Sequence, residues 1–380
     1  MSDTLTAVIL AGGFGTRMRP LTLRLPKPML PLVDRPFSAY QLEHLAAGGV
    51  TDVVFSLGYK SDALIEGLSD ASRFGLRSVS FEVEEIPLDT AGAARWATRN
   101  LGGDDPGPIL VCNGDVLTDL DLPALIAFHD AHPGRGTITL TRVEDASRYG
   151  LVRHDATSGR VEAFLEKPVP EQLSDAERAA PWINAGTYVI DRGVLEDLPI
   201  GEPVSIERSV FPAMVDDGLY GFRSDAYWLD MGTLDTYLTA HSDVMLGRVA
   251  TKAGEMMRGG VHIDPSADVA PAAQLSGAVY VGPGAVVEHG ATLVGPASVG
   301  AGARIGEEAV IDRSVVLEGA RVGGTVRRSI VGQGAEVASG ASVSGGSAVG
   351  PGARVLSGNI LDKGVRVGLD VTIPEGGILL

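Results

Sequence analysis

From Ile263 onward the chain repeats with a period of six. Ile263, Val269, Leu275, Val281, Val287, Leu293, Val299, Ile305, Ile311 and Leu317 are apolar at every sixth position, and a small residue (Ala267, Ala273, Val279, Ala285, Ala291, Ala297, Ala303, Ala309) stands two places before the next member. The phase slips between Glu318 and Ile330 and resumes at Val331, Val337, Val343, Val349, Val355, Leu361, Val367 and Ile373. Six is not a helical repeat, and the 50 glycines, concentrated in this part of the chain, weaken any helix that contains them. A hexapeptide period instead predicts one flat side per six residues, with three sides closing a coil, so that about six coils fit the segment.

Such a period resembles the left-handed parallel β-helix. Ahead of it, the pattern changes to apolar runs alternating with helix formers. Strands are predicted at Ala7–Leu10, Asp52–Leu57, Val79–Val83 and Pro108–Asn113, with helical stretches ending at Gly48-Gly49 and near 61–68, 90–97 and 122–131. Segments 137–143, 151–154, 161–165 and 182–190 read as further strands, the first three antiparallel, and 206–216 and 236–245 as helices. The expected fold is therefore α/β, a Rossmann-like domain with a mixed, mostly parallel sheet over residues 1–246, then a linker at 247–260 and the β-helix at 261–380.

The first strand runs into Leu10-Ala-Gly-Gly-Phe-Gly-Thr-Arg17, in which Gly12, Gly13 and Gly15 let backbone N–H groups point at an anion. The spacing is not G-x-G-x-x-G, and no Gly-Lys-Ser/Thr follows. Basic groups come later, as Arg17, Arg19 and Lys27, and Pro20, Pro26, Pro28 and Pro31 stiffen the segment that presents Lys27. The whole string, LAGGxGTRxxPLTxxxPKPMxP, resembles the signature of the sugar-1-phosphate nucleotidyltransferases. With Thr90-Ala-Gly92, Ser205-Ile-Glu-Arg208 and the hexapeptide domain it is most similar to the mannose-1-phosphate guanylyltransferase branch; glucose-1-phosphate thymidylyl- and adenylyltransferases share much of it.

That resemblance implies a nucleoside triphosphate and a sugar 1-phosphate as substrates and Mg²⁺ as cofactor. Leu10, Ala11, Gly12, Gly13, Gly15, Thr16, Arg17, Glu85, Asp89, Thr90 and Asn113 would bind the nucleotide. Gly150, Glu166, Lys167 and Asn184 would bind the sugar phosphate, with Glu207 a lesser candidate. Arg17, Lys27 and Lys167 would be catalytic through charge, and Asp115 and Asp230 would hold the metal, which suits the preference of Mg²⁺ for few carboxylates and many phosphate and water oxygens. Family members generally carry Gly where this chain has Asp89. A side chain there can reach the donors of a guanine or turn aside.

The net charge of −17 argues against a nucleic-acid-binding surface. It also means that Arg17, Lys27 and a divalent cation must supply positive charge locally, because like charges about 4 Å apart repel by roughly 4 kcal/mol at an effective dielectric of 20. The single Cys112 excludes an internal disulfide or a thiolate metal cluster, and its apolar run makes it a buried strand residue. No basic-then-apolar leader and no apolar run of about 18 residues is visible, so the expectation is a cytoplasmic chain with no membrane partner. His129 and His132 lack a third ligand and read as a solvated helix end. Hexapeptide solenoids also serve acyltransferases, but such sites need a catalytic His, and this one offers only His262 and His289. A non-catalytic regulator on the same fold would have little use for the full set of charges. The flat sides of the solenoid predict a homo-oligomer.

Overall fold

The computed structural model describes residues 5–58, 61–102 and 107–377; the extreme ends of the two expected domains, 1–4 and 378–380, lie outside the described residues. Two compact units emerge. One comprises residues 1–13 and 41–228, the other 14–40 and 229–380. Division by contact thus differs from division by composition: the segment after Gly13 that carries Arg17 and Lys27 groups with the repeats, and the predicted linker contains a short helix, Lys252–Met256.

The first unit is a nine-stranded sheet. Its strands are β1 (Thr6–Ala11), β2 (Asp52–Leu57), β3 (Ser78–Val83), β4 (Ile109–Asn113), β5 (Gly136–Arg142), β6 (Gly150–His154), β7 (Val161–Glu166), β8 (Trp182–Ile190) and β9 (Leu219–Arg223). They run in the order β7-β6-β8-β4-β1-β2-β3, with β5 on β8 and β9 on β5. Strands β4, β1, β2 and β3 are parallel, joined by helices such as Ser61–Leu68 and Asp89–Thr98, while β8 is antiparallel to β4 and β6 to β7. Strand β9, absent from the sequence reading, pairs parallel with β5. Val8, Val54, Val111, Ile138, Tyr188 and Phe211 pack one core of this sheet. Cys112 is buried in β4, and burial pushes its thiol up to about 12, so it is inert. His129 corrects the reading of a solvated helix end: it is buried, hydrogen-bonded to Thr137 at 3.0 Å, and burial holds its pKa below the ordinary value.

In the second unit the repeats form three parallel sheets of seven, seven and six short strands, the arrangement of the expected left-handed β-helix. Val281, Val287, Leu293, Val299, Ile305 and Ile311 all point inward and are at most 1% exposed. Each buried valine or leucine contributes about 1.5–3 kcal/mol of transfer free energy. The phase slip is a local shortening of coils. Val281 pairs with Val299 and Val299 with Val316, so Val316 rather than Leu317 continues the inward row, and the next rung follows at Val331.

One side of this solenoid is covered. Along its row of outward positions, Tyr280, Ser298, Val315, Ile330 and Ala348 are all buried, whereas Arg304, Arg321 and Arg354 on another side are exposed. The helix Leu234–Met245, capped by Thr233, supplies part of the cover through buried Tyr237, Ala240, His241 and Val244. His241 ties three segments together. Its Nε2 donates to the Pro31 carbonyl (3.1 Å), leaving Nδ1 to accept from Ser298 Oγ (3.2 Å) and Val33 N–H (3.4 Å). Burial, opposed only by the Pro31 bond, lowers its pKa to about 3.

The folded pKa lies below the unfolded one, so this contribution is fully present above about pH 6.5 and is lost as pH falls toward 3, at about 1.4 kcal/mol per pH unit. His241→Gln should therefore lose less stability than the wild type between pH 7 and pH 5, by about 2 kcal/mol in urea unfolding. Equal losses would refute the assignment. Among the described residues no helix is long and apolar enough to cross a membrane.

Candidate functional site

The two units each carry part of the predicted set. In the first, β1 delivers Leu10, Ala11 and then Gly12 to the carboxyl ends of the parallel strands, where α/β sheets bind ligands. Backbones crowd here: a Cβ on Gly12 would stand 2.9 Å from Glu84 Oε1, and the N–H of Gly114 donates to the Leu10 carbonyl at 2.9 Å. Glu84 is braced by Ser56 Oγ (2.9 Å) and the Leu88 N–H (3.0 Å), while its neighbour Glu85 is exposed. The sequence reading named Glu85 alone; alternation after β3 is the signal that separates the pair.

Asn113 ends β4, and Asp115, half-buried, sits two residues on. Gln41 Nε2 donates to the carbonyls of both Asn113 (2.9 Å) and Val116 (3.3 Å), bracketing the Asp115 turn. Nothing in a helix-forming stretch marks Gln41 for this task in the sequence. Beside Asn113 lies the string containing Asn184. Strand β8 loses register with β5 between Asn184 and Tyr188, a bulge of the kind that re-aims side chains. Within it Asn184 Oδ1 accepts from the Gly186 N–H and Asn184 Nδ2 donates to Tyr188 Oη, both at 2.9 Å. A Cβ on Gly186 would come within 2.6 Å of Asn113 Nδ2, so these two strings are in contact.

Gly150 faces Glu166 across the β6–β7 pair. Lys167, with φ +48°, follows and is exposed, its Nζ 2.9 Å from Glu166 Oε1. At Asp89, φ is +57°, the left-handed region that favours glycine. Its carboxylate accepts from the Thr90 N–H (2.8 Å) and pairs with Arg208 (3.2 Å). Thr90 Oγ1 in turn donates to Glu207 (2.8 Å) and accepts from the Ile206 N–H (2.8 Å), so Glu207 is fixed beside the nucleotide string.

The second unit holds Gly15, Thr16, Arg17, Lys27 and Asp230. Gly15 adopts φ +59°, and its carbonyl accepts from Met18 N–H (3.0 Å) and Thr22 Oγ1 (2.8 Å), closing the turn on buried Met18, Leu21 and Thr22. A Cβ on Gly15 would lie 3.3 Å from Lys27 Cβ, and one on Gly232 would lie 2.8 Å from both Arg17 Nη2 and Asp230 Oδ1. Gly232 is thus the gap that lets the Arg17 guanidinium and the Asp230 carboxylate stand within one side chain of each other. Among the described residues no three His, Cys, Asp or Glu side chains gather as a protein-only metal cage. Single carboxylates presented by separate turns suit a hard cation that takes its other ligands from water and phosphate.

A family model described as nucleotidyl transferase matches residues 6–246, and one described as the GMPPB C-terminal domain matches 276–379. A mannose-1-phosphate guanyltransferase of Schizosaccharomyces pombe is 40% identical over 271 residues, 69% of this chain and 72% of that protein. The enzyme of the same description from Eremothecium gossypii is 37% identical, over 71% and 72%. Among solved structures, HddC from Yersinia pseudotuberculosis is 30% identical with a TM-score of 0.52, over 63% of this chain and 98% of that one. The same protein complexed with GMP-PN superimposes equally well. The chain belongs to the nucleotidyl transferase family, as a two-segment member similar to the mannose-1-phosphate guanyltransferases.

Proposed function

We propose that the protein transfers a guanylyl group from GTP to mannose 1-phosphate, giving GDP-mannose and pyrophosphate. The observation that carries this reading is the match of both segments, the nucleotidyl transferase portion and the hexapeptide portion, to a family whose similar members are described as mannose-1-phosphate guanyltransferases. An oxygen of the sugar phosphate attacks the α-phosphorus in line, the bond from that phosphorus to the α,β-bridging oxygen breaks, and its electrons leave with pyrophosphate. No covalent enzyme intermediate is needed, so the work is positioning and neutralisation of charge.

In this reading Arg17 takes the leaving pyrophosphate and Lys27 the α-phosphoryl or pyrophosphate oxygens. Gly12, Gly13, Gly15 and Thr16 offer backbone donors to the triphosphate. Lys167 holds the attacking phosphate, exchanging the Glu166 carboxylate for it, while Glu166 and Asn184 are left to bind sugar hydroxyls. Asp115 and Asp230 would hold Mg²⁺, which when bound neutralises the developing negative charge. Asp89 is already committed to Thr90 and Arg208, which favours reading of the base by backbone groups near Thr90 and by Glu84 or Glu85. A cytoplasmic homo-oligomer assembled through the solenoid completes the proposal; one protomer's mass in light scattering at micromolar concentration would remove that part of it.

The test is a matrix of GTP, dTTP, ATP and UTP against mannose and glucose 1-phosphates, read as pyrophosphate. The GTP–mannose pair should exceed every other by at least about tenfold in kcat/KM, a difference of about 1.4 kcal/mol in transition-state binding. Preference for dTTP or ATP with glucose 1-phosphate would replace the proposal by the thymidylyl or adenylyl alternative.

A further inference from the structure

The covered row of the β-helix ends in a charge. Following the register outward position by outward position, Tyr280 pairs with Ser298, Ser298 with Val315, Val315 with Ile330, Ile330 with Ala348 and Ala348 with Arg366. Rungs of parallel strands are about 4.8 Å apart, so the row extends roughly 24 Å. The segment Phe14–Tyr40 meets it at several points. Near the start of the row, Asp34 is close enough to raise the Tyr280 hydroxyl's pKa electrostatically, behind the larger effect of burial. At the next rung, Ser298 shares His241 with Val33. At the end, Arg366 Nη1 donates to the carbonyl oxygens of Arg17 and Arg19, each at 3.4 Å.

A second contact lies one corner further on. Asp370 accepts from Arg24 Nη2 at 3.2 Å. A Cβ on Gly352, in the coil before, would fall 2.0 Å from Asp370 Oδ1 and 3.3 Å from Arg24 Nη2, so the glycine leaves room for this pair. Both contacts fall on the turn that follows Gly15, on either side of Pro20. Neither buries a core residue: Arg366, Arg24 and Asp370 are all exposed.

We propose that Arg366, supported by the Arg24–Asp370 pair, is a positioning residue for the phosphate loop. Its guanidinium holds the carbonyls of Arg17 and Arg19, and by fixing the Arg17–Met18 peptide plane next to the Arg17 Cα, and the Arg19–Pro20 plane two residues on, it fixes the direction in which the Arg17 side chain leaves the turn. The final coils of the solenoid thereby set the geometry of a group that acts on the triphosphate. The cost of losing this is loss of alignment in the transition state, because a misdirected charge still attracts the ground-state triphosphate but stabilises the leaving group less. The inference rests on the role assigned to Arg17 under the proposed function.

The test compares full-length wild type, Arg366→Ala, Arg366→Lys and Asp370→Asn by steady-state kinetics and by amide hydrogen exchange of the peptide spanning Phe14–Arg24. Arg366→Ala should lower kcat about tenfold with KM for the sugar phosphate within about twofold, and should speed exchange in that peptide while leaving the peptide of β1 unchanged. Lysine at 366 should restore part of both, and Asp370→Asn should give a smaller effect of the same kind. Unchanged exchange in the peptide, or unchanged kcat beside an active wild type, overturns the proposal. Should the wild type turn over none of the nucleotide–sugar pairs, the assigned reaction fails while the exchange measurement still decides whether Arg366 orders the loop.

Discussion

Asp115→Asn should release pyrophosphate at about one hundredth of the wild-type rate or less, a loss of at least ~2.7 kcal/mol of transition-state stabilisation. The substitution preserves shape and removes charge. It leaves in place the bonds that shape the turn: Gln41 to the carbonyls of Asn113 and Val116, and the Gly114 N–H to Leu10. Folding should accordingly be unaffected, with unfolding midpoints matching wild type, and the loss should appear in kcat. Mg²⁺ prefers anionic oxygen, and an amide would be a poor replacement for one of the two carboxylates proposed to hold it. Raising the Mg²⁺ concentration should recover part of the rate in the variant and little in the wild type. Near wild-type pyrophosphate release from Asp115→Asn would remove Asp115 from the metal role.

Much of this architecture was legible because its determinants are local. The hexapeptide rows needed only periodicity, and the inward valines stand where period six puts them, up to the short coil at Val316. Corner shortening is a choice made by neighbouring coils together, so a count along one strand misplaces it by a residue. The β-strands from Thr6 to Asn113 were readable as apolar runs, yet β9 was not, because Leu219–Arg223 has mixed polarity and gains its strand character from pairing with β5. At the candidate site, glycines and prolines announced the turn at Gly15. Gln41 and Arg366 were invisible in the same string of letters, and Glu84 stood out only through the alternation that separates it from Glu85. Each acts through a partner distant in sequence: Gly12 for Glu84, the Asn113 carbonyl for Gln41, and the Arg17 and Arg19 carbonyls for Arg366. Asp89 is an intermediate case. Its departure from glycine was evident, but only φ of +57° and the Arg208 pair say what the aspartate does there.

Lys27→Ala should lower kcat by about a hundredfold, and Lys27→Arg should not rescue it. The backbone that presents Lys27 does not depend on its side chain. Pro26 is extended, the turn Lys27–Met29 is closed by Met29 N–H to Pro26 (2.9 Å) and Leu30 N–H to Lys27 (3.1 Å), and Ser38 Oγ holds the Pro28 carbonyl at 2.9 Å. Alanine keeps all of this and removes the charge. The Cβ of Lys27 lies against Gly15, beside the turn that carries Arg17, and a second guanidinium there would bring bulk and a planar fork in place of a compact point charge. Charge that matters most as pyrophosphate departs should register in kcat more than in KM for the nucleotide. The contrast with Arg366→Ala is then quantitative: removing a charge proposed to meet the phosphates should exceed, by about a factor of ten, removing one proposed only to aim its neighbour. Equal losses from the two variants would mean that Lys27 also serves chiefly to shape the loop, and its assignment to the phosphoryl oxygens would have to be withdrawn.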